Sequence, residues 1–160
     1  MPADEVVSAL ERAVLAAGLL PPDEVPAAAR RLAVLWSRFV GGETPPFVWE
    51  PVPEISGRLV RLDGIVVHTL CPHHLVPART LVTVTYWPVT RVAGFGALGR
   101  LADWHTRRPV LHEQYVQRLA GDLAERLGCK VSVEARASHV CATASGEPAP
   151  AEVVVVATAS

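Results

Sequence analysis

The 160 residues are half hydrophobic (50%) and only 19% charged, so a disordered chain is excluded and one compact domain is expected. Fifteen Lys and Arg face sixteen Asp and Glu, a net charge of −1, which removes the usual electrostatic signature of nucleic-acid binding. The longest apolar runs, such as Val153–Ala157, fall far short of the roughly 20 residues that cross a bilayer, so no membrane partner is expected. Asp4, Glu5 and Glu11 stand where a secretory leader would place basic and apolar residues, which points to a cytoplasmic location. Three cysteines, an odd number, argue against a disulfide scaffold and leave thiols for the core, for nucleophilic chemistry or for metal.

Residues 3–18 place Val6, Val7, Leu10, Val14 and Leu15 at helical spacing, and Pro21-Pro22 stop that helix. A second helix is expected over about 24–40, with Leu32, Val34, Leu35 and Phe39 as its apolar side and Gly41-Gly42 as its end. Pro45, Pro46, Pro51 and Pro53 make 43–57 an extended connection. From 58 the period becomes that of strands: 58–70 and 80–87 are rich in Val, Thr and Ile, with a hairpin-like loop at 71–77 between them. A helix over 94–106 would carry Phe95, Leu98, Leu101 and Ala102 on one side. Pro109 is expected to open a longer one, in which Leu111, Tyr115, Leu119, Leu123 and Leu127 recur every four residues up to Gly128. Residues 130–141 alternate, with Val131, Val133, Ala135, Ala137, His139 and Cys141 facing one way, and a last strand follows at 152–158. The order is α-α followed by β-β-α-α-β-β, an α+β domain over 1–160 with a helical part at 1–42 and a core at 58–158. No internal repeat appears.

The chemistry gathers at two places. His139 and Cys141, two apart on an expected strand, point the same way. A lone His or Cys there is most often an ordinary core residue. Cys71-Pro72-His73-His74 is a tight loop whose Cys and His, three apart, can converge on one ion, with Pro72 stiffening the backbone. Taken together, the two segments could bring thiolates and imidazoles to one point. Two thiolates and one imidazole suit zinc and leave a fourth position for water. Spare histidines beside such an ion are what hydrolysis needs, since imidazoles move protons near neutral pH.

In these motifs the chain resembles the GTP cyclohydrolase I family, which carries Cys-Glu-His-His-Leu at one strand end and His-x-Cys at a later one. Between them that family has helix starts of the form Gly-Leu-Ser-Lys-x-x-Arg and Arg-Pro-x-x-Gln-Glu. Here these read Cys71-Pro72-His73-His74-Leu75, His139-Val140-Cys141, Gly94-Phe95-Gly96-Ala97-Leu98-Gly99-Arg100 and Arg108-Pro109-Val110-Leu111-His112-Glu113. The resemblance spans about 58–142 and implies a tunnelling fold with a four-stranded antiparallel sheet. It implies Cys71, His74 and Cys141 as zinc ligands, and His73 and His139 as the histidines that handle protons during ring opening. It further implies Glu113 as the carboxylate that holds a guanine edge and Arg100 as one cation for a triphosphate. Members of the fold form rings with active sites between subunits, so a homo-oligomer, such as a decamer, is expected.

Several positions depart from that pattern. Gly96 and Ala97 replace the Ser and Lys of the first helix start, and Ser145 stands where an Arg is expected. Pro72 replaces Glu, and His112 replaces the Gln before the guanine-binding carboxylate, where it could touch substrate or lie solvated. Charge-assisted hydrogen bonds contribute roughly 1.5–3 kcal/mol each, so losing two lowers triphosphate affinity by roughly two to four orders of magnitude. The expectation is therefore a zinc hydrolase of a guanine-type, purine- or pterin-like small molecule without a triphosphate. The alternatives are a GTP cyclohydrolase I proper, releasing formate from GTP with Arg58, Arg61 or Arg79 of a neighbouring subunit as cations, and a silent pterin- or purine-binding zinc module. Cys129, His68, His105 and the four tryptophans are expected to pack or lie at the surface.

Overall fold

A computed structural model describes residues 3–41, 45, 49, 52–53, 58–146, 148, 150 and 152–160. The chain divides into two compact units, Met1–Gly41 and Gly42–Ser160. Most of the 43–57 connection lies outside the described residues.

The first unit is a helical hairpin of α1 (Asp4–Ala16) and α2 (Val25–Ser37). Asp4 and Glu5 occupy the first turn of α1, where acidic groups complement the helix dipole. In α2, Pro26 sits in the first turn, where its missing N–H costs nothing. The buried side of α2 is Val25, Ala29 and Ala33, whereas Val34 and Leu35 are exposed. The sequence pattern had favoured the larger residues. The small ones recur at i, i+4 and i+8, and so share one face.

The second unit is built on a four-stranded antiparallel sheet in the order β2-β3-β5-β6. A two-residue ribbon pairs β1 (Val52–Pro53) with β4 (Arg91–Val92). The main strands are β2 (Val60–Leu70), β3 (Pro77–Tyr86), β5 (Val131–Ser138) and β6 (Val153–Ala159). Val, Ile and Thr fill these strands, as pleated, half-buried surface favours. In β2, Gly64 takes φ 74° where the register with β3 shifts between Leu62 and Ile65, a bulge that a side chain would strain.

One face of the sheet is covered by α3 (Phe95–Trp104) and α4 (His112–Leu127). Val82, Val84, Tyr86, Val131 and Val133 meet Leu98 and Leu101 of α3 and Tyr115, Leu119, Leu123 and Leu127 of α4 in one core. Phe95, expected on the inner side of α3, is 72% exposed, because the helix begins there and its buried stripe starts two residues later. Gly128, left-handed at φ 63°, ends α4 and returns its N–H to the carbonyl of Ala124. The opposite face of the sheet carries a row of neighbours, Val66, Leu81, Arg136 and Val154, in which Val66 and Val154 are exposed. The architecture is the α+β tunnelling fold with a four-stranded antiparallel sheet that the sequence implied. Among the described residues, no helix is long and apolar enough to cross a membrane.

Two elements differ from the sequence reading, and both shape the site. The helix expected from Pro109 starts at His112 instead, with Leu111 extended as its N-cap. Proline biases the residue before it toward extended backbone, and here Pro109 forms a parallel bridge with Leu70 while Val110 N–H donates to the Leu70 carbonyl at 3.2 Å. The strand expected to run through Cys141 ends at Ser138. His139 is the N-cap of a short helix, α5 (Val140–Ala144), so His139 and Cys141 are not alternate residues of one strand.

Candidate active site

Cys71 follows the last residue of β2 and opens a turn closed by two backbone hydrogen bonds. Leu75 N–H donates to the Cys71 carbonyl at 2.9 Å, and Cys71 N–H donates to the Val76 carbonyl at 3.1 Å. Closing the turn places Leu75 at φ 54°, among the described residues the one left-handed conformation outside glycine. Such a conformation costs a branched residue roughly 1–2 kcal/mol, so the surrounding bonds over-determine it. The turn buries the Cys71 thiol and leaves His73 and His74 exposed. His73 Nδ1 lies 3.9 Å and His74 Nδ1 3.7 Å from Cys71 Sγ.

Cys141 reaches the same place by a different route. β3 lies between β2 and β5, so a straight continuation of β5 would hold Cys141 about 10 Å, two strand spacings, from the end of β2. Turning into α5 carries the thiol back across that gap. The ligand atoms of Cys71, His74 and Cys141 all lie within 4.8 Å of one another. A tetrahedral zinc with ordinary Zn–S and Zn–N bonds needs neighbouring donors ~3.5–3.8 Å apart. The Cys71–His74 separation of 3.7 Å already meets that, and the donor chemistry suits zinc. Burial, and then the neighbouring Cys71 thiol, push the Cys141 thiol above the ordinary cysteine range. A cation bound between the two sulfurs would reverse that effect.

Behind the thiols lies a buried polar network. His112, tied in place because Val110 is bonded to Leu70, turns its ring inward and is only 5% exposed. Its Nε2 lies 3.1 Å from Thr69 Oγ1 and 3.0 Å from Thr80 Oγ1, while its Nδ1 lies 3.1 Å from Nε2 of His139. The two hydroxyls are 3.2 Å apart, and both threonines are wholly buried. The His139 ring stands nearly perpendicular to that of His112, at 85°, and its Nδ1 is 4.0 Å from Cys141 Sγ. Burial first, and the facing His139 second, lower the pKa of His112 to about 4, against a smaller opposing pull from Glu113. A solvated His112 is therefore ruled out, and its two ring nitrogens are both engaged within the protein.

A cavity of about 260 Å³ joins these parts, lined among others by Cys71, His73, His74, Glu113, His139 and Cys141. Glu113 stands exposed in the first turn of α4 at its rim. Arg100, on the exposed side of α3, is not among the described residues that line it. Of the departures on the phosphate side, Ala97 is buried in α3, and the Ser145 hydroxyl donates to the Ala142 carbonyl at 2.7 Å. Thr69 and Thr80 were not singled out from the sequence. Their signal was present, as two hydroxyls at inward-facing positions of β2 and β3, on the same side as Val67 and Val82.

Fold and site together define a tunnelling-fold protein with a Cys-His-Cys cluster at one end of its sheet. The GTP cyclohydrolase I family model matches residues 10–160, so this chain belongs to the GTP cyclohydrolase I family. It is 33% identical over 116 residues to GTP cyclohydrolase 1 of Pyrobaculum neutrophilum, a match covering 66% of this chain and 62% of that protein. It is 36% identical over 96 residues to the enzyme of the same name from Thermobifida fusca, covering 58% of this chain and 46% of that one. The Saccharomyces cerevisiae protein of that name is 35% identical over 96 residues, covering 58% and 39%. The chain thus spans less than two thirds of the length of these relatives. Among solved structures, the apo form of an archaeosine synthase, QueF-Like, superposes with a TM-score of 0.54 at 25% identity. That likeness covers 64% of this chain and 94% of the other.

Proposed function

We propose that this protein is a zinc-dependent hydrolase of the cyclohydrolase type, which adds water to the imidazole ring of a guanine-type or related purine- or pterin-like heterocycle and opens it. One observation carries the reading: two thiols and an imidazole from separate segments meet within 4.8 Å, on the wall of a cavity that three further histidines, His73, His112 and His139, share. Zinc held by Cys71, His74 and Cys141 would act as a Lewis acid that lowers the pKa of water toward neutrality. His73 and His139 hold and move protons at the rim, and a purely structural ion has no use for them. Glu113, at the open edge, accepts hydrogen bonds from an amidine-like N–H pair on the heterocycle. Cytoplasmic location and homo-oligomeric assembly belong to the same reading.

A substrate without a triphosphate is favoured by the phosphate side. Gly96 has no side chain, Ala97 is buried and apolar, and Ser145 spends its hydroxyl on its own helix. Three or four negative charges placed there would lose hydration with Arg100 as the one matched cation. GTP itself is the second reading, favoured by the names of the relatives, with cations drawn from a neighbouring subunit. Arg79 suits that role better than Arg61, which is already paired with Asp63 at 2.9 Å. The test offers GTP, guanosine, guanine and simple pterins at equal concentration and follows ring opening by mass spectrometry. Turnover of the uncharged compounds supports the first reading. Efficient formate release from GTP, with the others untouched, replaces it with the second.

A further inference from the structure

The His112 network fixes more than its own geometry. Thr69 and Thr80 are wholly buried, and among the described residues their hydroxyls find partners only in each other and in His112 Nε2. Each hydroxyl carries one proton that needs an acceptor, since a buried unpaired donor costs roughly 1–3 kcal/mol. If Nε2 carried a proton, it would occupy one threonine oxygen and leave one of the two hydroxyl protons with nowhere to go. If Nε2 is bare, both are accommodated: one threonine donates to the ring, and the other donates to the ring or to its neighbour. The proton of a neutral His112 therefore sits on Nδ1, which faces His139 Nε2 at 3.1 Å. Burial keeps His112 neutral through the physiological range.

We propose that His112 is a positioning residue: its Nδ1–H donates to Nε2 of His139 and holds His139 as the Nδ1–H tautomer. The proton of His139 then points to the sulfur side of the cavity, where Cys141 Sγ lies 4.0 Å away. His139 thus meets the Cys141 sulfur and the contents of the cavity as a hydrogen-bond donor and offers them no lone pair. The lone pair available to accept a proton is left to His73, across the turn. The two histidines, equivalent in the sequence motif, acquire different tasks because, among the described residues, only His139 is hydrogen-bonded to another ring. This division of labour rests on the hydrolase reading above; the tautomer itself does not.

The experiment therefore reads the tautomer directly, in protein as purified, labelled with ¹⁵N at histidine. Two-bond ¹H–¹⁵N correlation spectra are recorded at about pH 8, well above the ordinary histidine pKa, with His139→Gln used only to assign the resonances. The expected wild-type pattern is a protonated, pyrrole-like Nδ1 and a bare, pyridine-like Nε2 for His139. His112→Phe keeps a ring of similar size, removes the donor and leaves the two threonines to pair with each other; it should shift His139 toward the Nε2–H form. His112→Asn, whose amide N–H lies where Nδ1–H was, should restore the wild-type pattern. A wild-type His139 protonated on Nε2 overturns the proposal, as does an unchanged pattern in His112→Phe. The wild-type spectrum decides on its own if that variant does not fold. An inert protein with the expected tautomer would refute the hydrolase reading and leave the His112 assignment standing.

Discussion

Lowering the pH should destabilise this protein through His112 specifically. Its pKa falls from the ordinary 6.5 to about 4 on folding, first because the ring is buried and second because His139 faces it. Between those two values the unfolded chain binds a proton that the folded one refuses, so stability rises with pH across the window. The contribution is fully present above about pH 6.5, declines as the pH falls through the window, and is gone by about pH 4. A difference of that size corresponds to about 3 kcal/mol, a large part of the 5–15 kcal/mol that holds a typical domain together. Other groups titrate over the same range, so the comparison that isolates His112 is with His112→Gln, which cannot ionise. Urea unfolding of both proteins, in chelator so that metal release does not contribute, gives the stability difference at each pH. Above pH 6.5 the wild type should be ahead by its full margin, and by about pH 4 that margin should have shrunk by about 3 kcal/mol. A difference that stays constant from neutral pH to pH 4 would refute the reasoning, since the folded pocket would then be accepting the proton.

The remaining expectations are more direct. Cys141→Ala should lower zinc affinity by roughly two orders of magnitude or more, measured by competition with a chromophoric chelator, because one of three donors is lost; Cys129→Ala, a buried thiol outside the cluster, should leave it unchanged. His73→Ala and His139→Ala should each lower turnover by roughly 10²–10⁴-fold while metal stays bound, as metal analysis of the same samples will show. Light scattering at micromolar concentration should give a homo-oligomer, since β2 and β6 are sheet edges and Val66, Val154 and Val156 are exposed on the uncovered face; a monomer would contradict this.

What the sequence revealed and what it hid follow from the range of the interactions involved. The strands and the buried stripe of α4 were legible because a period of two or of nearly four is written locally in Val131, Val133 and Ala135, or in Tyr115, Leu119, Leu123 and Leu127. The start of α4 was misread because proline suits a first helical turn equally well, and the competing bridge from Pro109 to Leu70 is a contact between residues far apart in sequence. The end of β5 was misread for a related reason. Alternation through His139 and Cys141 is compatible with a strand, and nothing local says that β3 intervenes between the two thiols. His112 shows the limit most clearly. A histidine at the head of a helix reads as solvated until the threonines of two other strands are placed beneath it.

The same contrast between local and distant constraint governs how firmly each donor of the cluster is held. Cys71 and His74 belong to one short turn, locked by two backbone hydrogen bonds and flanked by the longest pairing in the sheet, from Val60–Tyr86 to Leu70–Pro77. Cys141 sits on a helix of five residues, none of them buried, and helices that short have little stability of their own in water. Ser145 and Thr143 satisfy carbonyls of that helix with their hydroxyls, but such bonds are exposed and worth about 1 kcal/mol each at most. On the zinc reading, coordination by Cys141 is therefore the strongest single restraint α5 has, and the metal closes the site as well as serving it. The ion would be gripped by a preformed two-donor turn and sealed by a thiol that folds over it. That order suits a cavity whose remaining wall, His139 with His112 behind it, is fixed from the core side and does not depend on the metal.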